Sequence, residues 1–593
     1  MTRAGLLALA LLGAGTAGAA GQADTTARDT TARRDSTARD TLPQLLPTFA
    51  TPIPPGPLSR GSRYVFTADS LLFSNVRTLS DLLGRVPGVY VVRGGWFGQA
   101  EPVVFGGRGP VALEIYWDGA PYLAVGRDSI YLDPARISLA PLERVDVIVL
   151  PAALQVYLVT ARQRSTVPAT QIGVATGQLS IAEYRVGYAT RTRTGLGVSL
   201  LADWHSLDGN PKTSTTAFSS TDLWLKLDYV PPGGRLGASY QVLSSSWHRD
   251  DAPGTVDDWR VRRRDQAFRF FYASRDDELG FRLAGTIATS AVDRDTAAPP
   301  RTLYQASFEA SRAWRRASVA AVARIGLAGT PSQLEVRAGW IPLPLAMPRL
   351  TIAGWVRHAE YADDRAGNRG ELSAGVTFPL GLSARAELAW MRDFQAPFLS
   401  TDTVRQQTID VAGWVRWEHR LALIEVGRGR RDAFAPLGFA AGIKPVDHLS
   451  PTPLTEFVAA RASLRPLPGL ELSAWYFDPV VGGGDFEPPH HARLSAAFRS
   501  KFWRVFRSGI FTLRGEVAME SWSTWGLGGR DSSDRALRLG GATFVDTNIE
   551  MQLVGATLFW IIQNNNITRA SYVQQLSYPR RVQLYGVRWF FTN

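Results

Sequence analysis

Beyond about residue 170, the chain alternates between apolar and polar positions with a period of two. In 382–390, leucine, alanine and tryptophan occupy every second position, and serine, arginine and glutamate occupy three of the positions between them. Residues 223–229, 408–418 and 584–591 repeat the pattern. Because successive side chains of a β-strand point to opposite faces, this period predicts strands with one apolar and one polar face. Such strands are typical of transmembrane β-barrels and also of soluble sandwiches.

The segments between the predicted strands favour the barrel. We predict about 22 strands, an even number as in bacterial barrels. Segments that follow odd-numbered strands are usually long, such as 248–259, whereas those that follow even-numbered strands are short, such as 231–234. Long outer loops and short periplasmic turns give a barrel this asymmetry, and a sandwich has no reason to sort its loops by parity. We therefore expect an all-β transmembrane barrel of about 22 antiparallel strands over 166–593.

A smaller unit with mixed patterns precedes the barrel. In 79–92, three leucines spaced three and four residues apart predict a short helix, and Pro87-Gly88 stops it before a β-branched and aromatic run. The apolar run 142–150 predicts a buried strand. We therefore expect an N-terminal α+β domain over 61–165.

The N-terminus predicts export. Arg3 is followed by an apolar run and then by small residues that fit an A-x-A cleavage pattern at 17–19, so 1–19 is interpreted as a secretory signal peptide. Residues 20–60 repeat a D-[ST]-T-A-R unit and then become rich in proline, which indicates a disordered periplasmic tether. No later run of about 18 apolar residues predicts a membrane-spanning helix.

Composition and charge exclude several classes of function. The chain has 593 residues, no cysteine and a formal net charge of +12. Without cysteine, disulfides, thiolate metal sites and cysteine nucleophiles are excluded. Nearly all of the positive charge is arginine, dispersed along the alternating strands, whereas a nucleic-acid-binding module would present a basic stripe on a known fold. We therefore expect solvated or lumenal arginine faces and no nucleic-acid partner.

Four motifs, in order, resemble the plug domain of TonB-dependent outer-membrane receptors. They are TLSDLLGRVPGVYV at 78–91, VVFGGRG at 103–109, EIYWDGAPY at 114–122 and LERVDVIVLPAALQVY at 142–157. The tail from about residue 553 is similar to the last hairpin of those barrels. The positions that match the family's plug motifs are Leu82, Leu83, Pro87, Gly88, Arg108, Gly109, Asp118, Gly119, Glu143 and Arg144.

The resemblance implies that the N-terminal domain fills the barrel lumen. A barrel of about 22 strands is too wide for its own side chains to fill, and such barrels carry a plug. The resemblance also implies a position in the cell outer membrane, in contact with outer-membrane lipid. In the family, plug arginines pair with barrel-wall carboxylates, and Arg108 and Arg144 are the positions that could do so here, because a lumenal guanidinium needs a carboxylate. The alternative for Arg108 is that it caps a turn.

Two parts of the sequence depart from the family pattern. After Val149 the chain reads Leu-Pro-Ala where the family has Arg-Gly-Pro, so we expect a shortened or repacked last plug strand. The resemblance implies a TonB-type energy-transducing partner, which would pair with an extended segment of the tether. The best candidate is DTLPQLL at 40–46, although Pro43 cannot donate a ladder hydrogen bond and a plain linker is the alternative. The partner-binding residues would be Asp40, Thr41, Leu42, Leu45 and Leu46.

Other groups of polar residues have simpler interpretations than a site. His490 and His491 are adjacent, so they cannot both face one metal ion from a strand, and a solvated loop explains them. The acidic segment 250–258 could bind Ca²⁺, but loop solubility explains it. His205 and Ser206 are neighbours on a predicted strand, whereas a catalytic triad needs geometry rather than proximity in sequence. We therefore expect no metal site, no resident cofactor and no catalytic residue.

The leading hypothesis is TonB-dependent active transport of a scarce small-molecule ligand across the outer membrane. A ferric chelate is our guess for the ligand because it is the commonest cargo of the resembling family, with cobalamin, other metals and oligosaccharides as alternatives. The alternative function is a non-energised plugged barrel that acts as a surface receptor or structural pore. A working coupling segment distinguishes the two. A third hypothesis, a lipid-hydrolysing barrel, predicts loss of activity when Ser206 is replaced.

Overall fold

The computed structural model describes residues 45–49, 61–73, 76–92, 98, 100–125, 131–208, 217–250, 259–275, 279–294, 301–327, 330–342, 348–362, 364–396, 402–439, 445–448, 452–483, 485–502, 505, 510–530, 536–569 and 581–592. The predicted signal peptide at 1–19 and most of the predicted tether at 20–60 lie outside these residues. None of the described helices is long and apolar enough to cross a membrane.

The N-terminal domain combines two short α-helices with a five-stranded sheet in the described residues. The elements are β1 (Arg63–Thr67), α1 (Ala68–Leu71), α2 (Leu79–Leu83), β2 (Tyr90–Val91), β3 (Val103–Val104), β4 (Leu113–Trp117), β5 (Ala120–Pro121), β6 (Leu142–Val149) and β7 (Leu154–Thr160). The sheet order is β1-β6-β7-β4-β5, with β4 parallel to β7, and β2 pairs separately with β3. Two 3-10 turns cover Gly109–Ala112 and Pro134–Arg136.

The start of this domain shows why its sequence turns where it does. The N–H of Thr78 donates to the Asp81 carboxylate at 3.0 Å, as one half of a capping box that begins α2. Leu82 and Leu83 are fully buried in the domain core. Gly88 has a φ of +77°, a left-handed conformation that favours glycine, and the chain turns there into β2.

The rest of the described chain forms strands joined by turns and loops. They are β8 (Ala169–Gly177), β9 (Ala182–Arg191), β10 (Leu196–Leu207), β11 (Phe218–Tyr229), β12 (Leu236–Arg249), β13 (Trp259–Ala273), β14 (Gly280–Arg294), β15 (Arg301–Ala313), β16 (Ala317–Leu327), β17 (Ser332–Trp340), β18 (Arg349–Glu360), β19 (Ala366–Thr377), β20 (Leu382–Asp393), β21 (Gln406–Glu418), β22 (Ala422–Arg431), β23 (Leu437–Phe439), β24 (Pro445–His448), β25 (Thr455–Leu467), β26 (Leu470–Val481), β27 (His491–Ser500), β28 (Phe511–Trp522), β29 (Trp525–Arg530), β30 (Ala536–Leu539), β31 (Ala542–Leu553), β32 (Ala556–Gln563) and β33 (Val582–Thr592).

These strands confirm the predicted fold class. Apart from β23–β24 and β29–β30, which are hairpins in two long loops, the described strands form one closed antiparallel barrel of 22 strands. Strand β33 pairs with β8 and closes the ring. In β13, Phe268 and Phe270 are exposed on the outer face, whereas Arg263 and Arg269 are buried on the lumenal face. The two-residue period therefore places arginines and carboxylates in the lumen, where they meet the N-terminal domain.

Candidate functional site

Strand β4 carries the carboxylate at the centre of the site. Its alternation places Leu113, Ile115 and Trp117 in the core of the N-terminal domain. Glu114 and Tyr116 lie on the opposite face, against the barrel wall. Sequence analysis did not single out Glu114, although a carboxylate inside a strand that is buried on both faces signals a charged partner.

Two arginines of the barrel hold Glu114. Its carboxylate accepts hydrogen bonds from both Nη atoms of Arg357, at 2.5 and 3.1 Å, and lies 3.5 Å from Arg369. The Tyr116 hydroxyl also donates to it, at 2.9 Å. Burial raises the pKa of Glu114, but the charges of Arg357 and Arg369 and the hydrogen bonds from Arg357 and Tyr116 together outweigh burial and lower the pKa to about 2. The carboxylate is therefore ionised at neutral pH and bridges the N-terminal domain to β18 and β19.

Arg108 makes a second charged contact with the wall. Its guanidinium pairs with the Asp410 carboxylate on β21, and both side chains are almost fully buried. Its Nη1 also donates to the backbone oxygen of Asp432 at 3.1 Å, and the guanidinium lies 4.9 Å from the Phe434 ring centre. Gly109 follows with a φ of +61°, which turns the chain into the first 3-10 turn.

Arg144, the second candidate for a wall contact, has a different partner. Its Nε donates at 3.0 Å to Asp146, which lies two residues further along the same face of β6. Glu143 accepts a hydrogen bond of 2.7 Å from Nε of Arg162, at the end of the N-terminal domain. In this structure Arg144 and Glu143 therefore hold the domain together and tie it to the linker that leads into the barrel.

The Asp118-Gly119 turn is tied to the wall from both sides. The Asp118 carboxylate accepts from the Thr160 N–H at 3.0 Å and lies 3.6 Å from Nζ of Lys226. Arg269 donates to the Asp118 backbone oxygen at 2.7 Å. Burial raises the pKa of Asp118, but Lys226 and the Thr160 hydrogen bonds outweigh it and lower the pKa. Gly119 has a φ of +89°.

The helix–turn–strand corner ends at an aromatic contact. The corner consists of Leu82, Leu83, Pro87 and Gly88. Tyr90 on β2 follows this corner and is almost completely buried. Its ring centre lies 5.1 Å from Trp522, 4.5 Å from Trp525 and 5.4 Å from His491. Trp525 begins β29, the hairpin of a long loop. The corner thus connects the N-terminal domain to an outer loop by packing rather than by charge.

The two adjacent histidines point apart. His490 is exposed, and its Nδ1 lies 3.4 Å from Asp478. His491 starts β27 and is buried, with its Nε2 at 2.9 Å from the Glu520 carboxylate. The interpretation as a solvated loop is therefore wrong for His491, because β27 begins at this residue and the ring is buried.

The described end of the predicted coupling segment lies against the linker. Asp40, Thr41 and Leu42 fall outside the described residues. Leu45 forms an antiparallel bridge with Ser165, and the Leu46 N–H donates to the Arg164 oxygen at 2.9 Å. Further along, Phe49 packs edge-on against Phe271 of the barrel wall, with ring centres 4.5 Å apart.

Two cavities flank the Glu114 ion pair. The first, of about 810 Å³, lies between the N-terminal domain and the outer ends of β17 to β20. Its lining includes Glu114, Tyr116, Tyr122, Arg357, Tyr361 and Arg369. The second, of about 490 Å³, shares Glu114 and Arg369 with the first and extends along the wall to Arg108 and Asp410. We call the first cavity the vestibule. The Glu114 ion pair lies between the vestibule and the second cavity.

Comparison with known proteins supports the architecture. A family model described as the TonB-dependent receptor plug domain matches residues 59–156. No curated protein sequence matches the chain. A variant of the ferric enterobactin receptor from Pseudomonas aeruginosa is 11% identical, with a TM-score of 0.69 over 90% of this chain and 98% of that chain. A copper transporter is 12% identical, with a TM-score of 0.70 over 92% and 100%. The ferric yersiniabactin uptake receptor from Yersinia pestis is 13% identical, with a TM-score of 0.67 over 89% and 98%. At these identities the likeness concerns the fold.

Proposed function

We propose that this chain takes up a ligand across the outer membrane by active transport driven through a TonB-type partner. The premise is that residues 59–156 match the TonB-dependent receptor plug domain and that the described strands close a barrel of 22 strands. The observation that carries the proposal is the position of the Glu114 ion pair, between an outer vestibule and a second cavity along the wall. A lumen closed by a plug needs such a contact, one that holds the plug in place and can be hydrated and released.

We propose the following sequence of events. A ligand enters the vestibule and contacts its arginine and tyrosine side chains. The partner pairs with the tether segment 40–46 as an added strand and pulls on it. The Glu114 contacts with Arg357 and Arg369 then separate, and the ligand passes along the wall of β18 to β21. No covalent step is required.

For the ligand we propose a ferric chelate with anionic oxygen donors. The vestibule is open to solvent, so the chemistry of its lining rather than its volume carries this proposal. Arg357 and Arg369 line it, as do Tyr122 and Tyr361, and guanidinium and phenol groups bind carboxylate or catecholate oxygens well. Two of the structurally similar proteins are receptors for ferric chelates by name and a third is a copper transporter, so other metal cargoes remain alternatives.

A non-energised plugged barrel is the second candidate function. The observation that favours it is that Leu46 is buried and hydrogen-bonded to the Arg164 oxygen, so part of the coupling segment is already paired. An acceptor strand that is already paired is unavailable to a partner. Such a barrel would bind the same ligand without moving it.

The first experiment measures binding of the full-length protein to the periplasmic domain of the TonB from its own organism. We compare the intact chain with a deletion of 40–46 and with a matched deletion of seven residues at 24–30, in the presence and absence of ferric chelates. Energised transport predicts that binding is lost only in the 40–46 deletion. No binding by any of the three folded proteins, with chelates added, contradicts the transport proposal and leaves the passive barrel.

A further inference from the structure

Strand β13 carries arginines on its lipid-facing side, near its outer end. Arg262 and Arg264 are exposed, whereas Arg263 between them turns into the lumen and donates to the Leu123 oxygen at 2.8 Å. Strand β13 follows a long loop and leads to a short turn, so its start lies at the outer side of the membrane. The two arginines therefore project outward from the barrel at its outer rim.

The distance of Arg262 and Arg264 from the lipid-facing apolar belt indicates which part of the membrane surrounds them. The same face of β13 continues with Phe268, Phe270 and Tyr272, all exposed. A strand rises about 3.3 Å per residue, so Arg264 and Tyr272 are about 26 Å apart along the strand. At a tilt of about 40° this is about 20 Å along the membrane normal, and the apolar belt of such barrels is about 25 Å tall. The arginines thus lie where acyl chains give way to lipid headgroups.

Arg264 has no acidic neighbour opposite it on the described adjoining strands, and Arg262 has one, Asp293, which is exposed on the same face. Across the sheet, Arg264 lies opposite Ser244 and Ala291, and Arg262 lies opposite Ser246 and Asp293. Among the described residues, no carboxylate lies within ion-pair distance of Arg262 or Arg264. By contrast, the lumenal arginines of the same strand are paired, Arg263 with Asp265 at 2.7 Å and Arg269 with Glu309 at 3.0 Å.

We propose that Arg262 and Arg264 bind the phosphate groups of a phosphorylated lipid headgroup in the outer leaflet. A guanidinium at a lipid interface requires an anion, and its planar fork matches two phosphate oxygens. The Ser244 and Ser246 hydroxyls lie beside the arginines and can donate to the same phosphate. Phe268 is exposed further along the same face and offers an apolar surface for an acyl chain, so the proposed ligand is a lipid rather than a free anion. This inference is independent of the transport function.

The test measures lipid binding to the full-length protein in detergent by native mass spectrometry. The probes are bisphosphorylated lipid A, the same lipid after phosphatase treatment, and inorganic phosphate as a competitor. The double variant Arg262→Gln/Arg264→Gln is compared with Arg312→Gln/Arg349→Gln, two exposed arginines at the opposite, periplasmic rim. All proteins are first checked for the heat-resistant gel mobility of a closed barrel.

We expect the Arg262/Arg264 variant to bind the phosphorylated lipid at least about tenfold more weakly than the wild type, since each charge-assisted contact is a strong one. The Arg312/Arg349 variant should bind like the wild type, and phosphatase treatment should weaken wild-type binding to the level of the double variant. Equal binding by the wild type and the Arg262/Arg264 variant would overturn the proposal. So would equal binding of the treated lipid, or displacement of the lipid by millimolar inorganic phosphate, which would indicate a site for free anions.

Discussion

Two of the contacts between the plug and the barrel have opposite chemistry. At the charged contact, Glu114 bridges Arg357 and Arg369. At the aromatic contact, Tyr90 packs against Trp522 and Trp525. A buried ion pair adds little net stability over apolar packing of the same shape, but loss of one partner is costly because the other charge stays buried. Aromatic packing instead contributes in proportion to the area it keeps from water.

This difference assigns different tasks to the two contacts. The charged contact borders both cavities and loses its attraction as soon as water enters, so it suits a connection that must open. The aromatic contact includes Trp525 from an outer-loop hairpin, and apolar packing depends less on exact geometry than an ion pair does. If the proposed transport moves the plug, we infer that the Glu114 contact opens before the Tyr90 contact does. Arg85 pairs with Glu516 on β28 at 3.0 Å, so the strand that carries Trp522 also holds the plug by charge.

Replacement of Glu114 should have the largest effect. Glu114→Ala leaves the Arg357 guanidinium facing a cavity without its carboxylate, whereas Arg369 keeps its ion pair with Asp393. We expect about 3–5 kcal/mol less free energy holding the plug. The measurement is the urea concentration at which half of the barrels in planar bilayers conduct ions. It should fall strongly in Glu114→Ala.

The matched control for this variant is Glu360→Ala. Glu360 is an exposed carboxylate at the outer end of β18, and its only described ion-pair neighbour is His358, 3.7 Å away. Exposed pairs of this kind contribute about 0–1 kcal/mol. If Glu360→Ala and Glu114→Ala opened the barrel equally, the charged contact would have no special part in retaining the plug.

Truncation of Tyr90 should have the second-largest effect. Tyr90→Ala removes a ring that is almost completely buried, and we expect a loss of about 3 kcal/mol. Tyr90→Phe keeps the ring and serves as the control. The distinguishing measurement is the salt dependence of plug release, which should be the same in Tyr90→Ala as in the wild type but weaker in Glu114→Ala. A change in salt dependence for Tyr90→Ala would show that the two contacts are not separate.

The sequence predicted the barrel because its signal is local. The alternation in 382–390 and in the last strand requires only the two-residue period of a strand. The turn at Pro87-Gly88 is local as well, since proline ends the helix and glycine supplies the left-handed φ. Four short motifs in the order typical of the family then predicted the plug, and a plug-domain family model matches residues 59–156.

The partners of individual charges were not predictable in the same way. Arg108 and Arg144 look alike in the sequence, yet Arg108 contacts the wall residue Asp410 and Arg144 contacts its neighbour Asp146. Residues 108 and 410 meet only after the barrel closes, and strand patterns contain no information about which lumenal position faces which part of the plug. Glu114 was missed for the same reason, because its partners lie on β18 and β19.

Acid should weaken the charged contact selectively. The pKa of Glu114 is about 2 in the structure and would be 4.5 in the released plug. A lowered pKa means that the stabilisation is fully present above about pH 4.5 and is lost as the pH falls towards 2, at most about 3 kcal/mol in total. The measurement is the urea midpoint of conduction between pH 6 and pH 2.5, for the wild type and for Glu114→Gln. The wild type should lose more stability over this range, and parallel curves would contradict the assignment.

The smallest effect on stability should come from a mutation in the tether. Its contact with the barrel wall, Phe49 against Phe271, is separate from the Glu114 and Tyr90 contacts. Phe49 packs against Phe271 beside the buried Leu46, and removal of its ring should cost about 2 kcal/mol locally. Since the chain has no cysteine, a single Leu46→Cys reports exposure of the tether by its rate of maleimide labelling. Addition of Phe49→Ala should speed labelling about thirtyfold, whereas Phe49→Leu should speed it less. The urea midpoint of conduction should not change, because the Phe49–Phe271 contact holds the tether and the Glu114 and Tyr90 contacts hold the plug. A lower midpoint in Phe49→Ala would mean that tether and plug are held as one unit, and that the plug has no charged contact that opens independently.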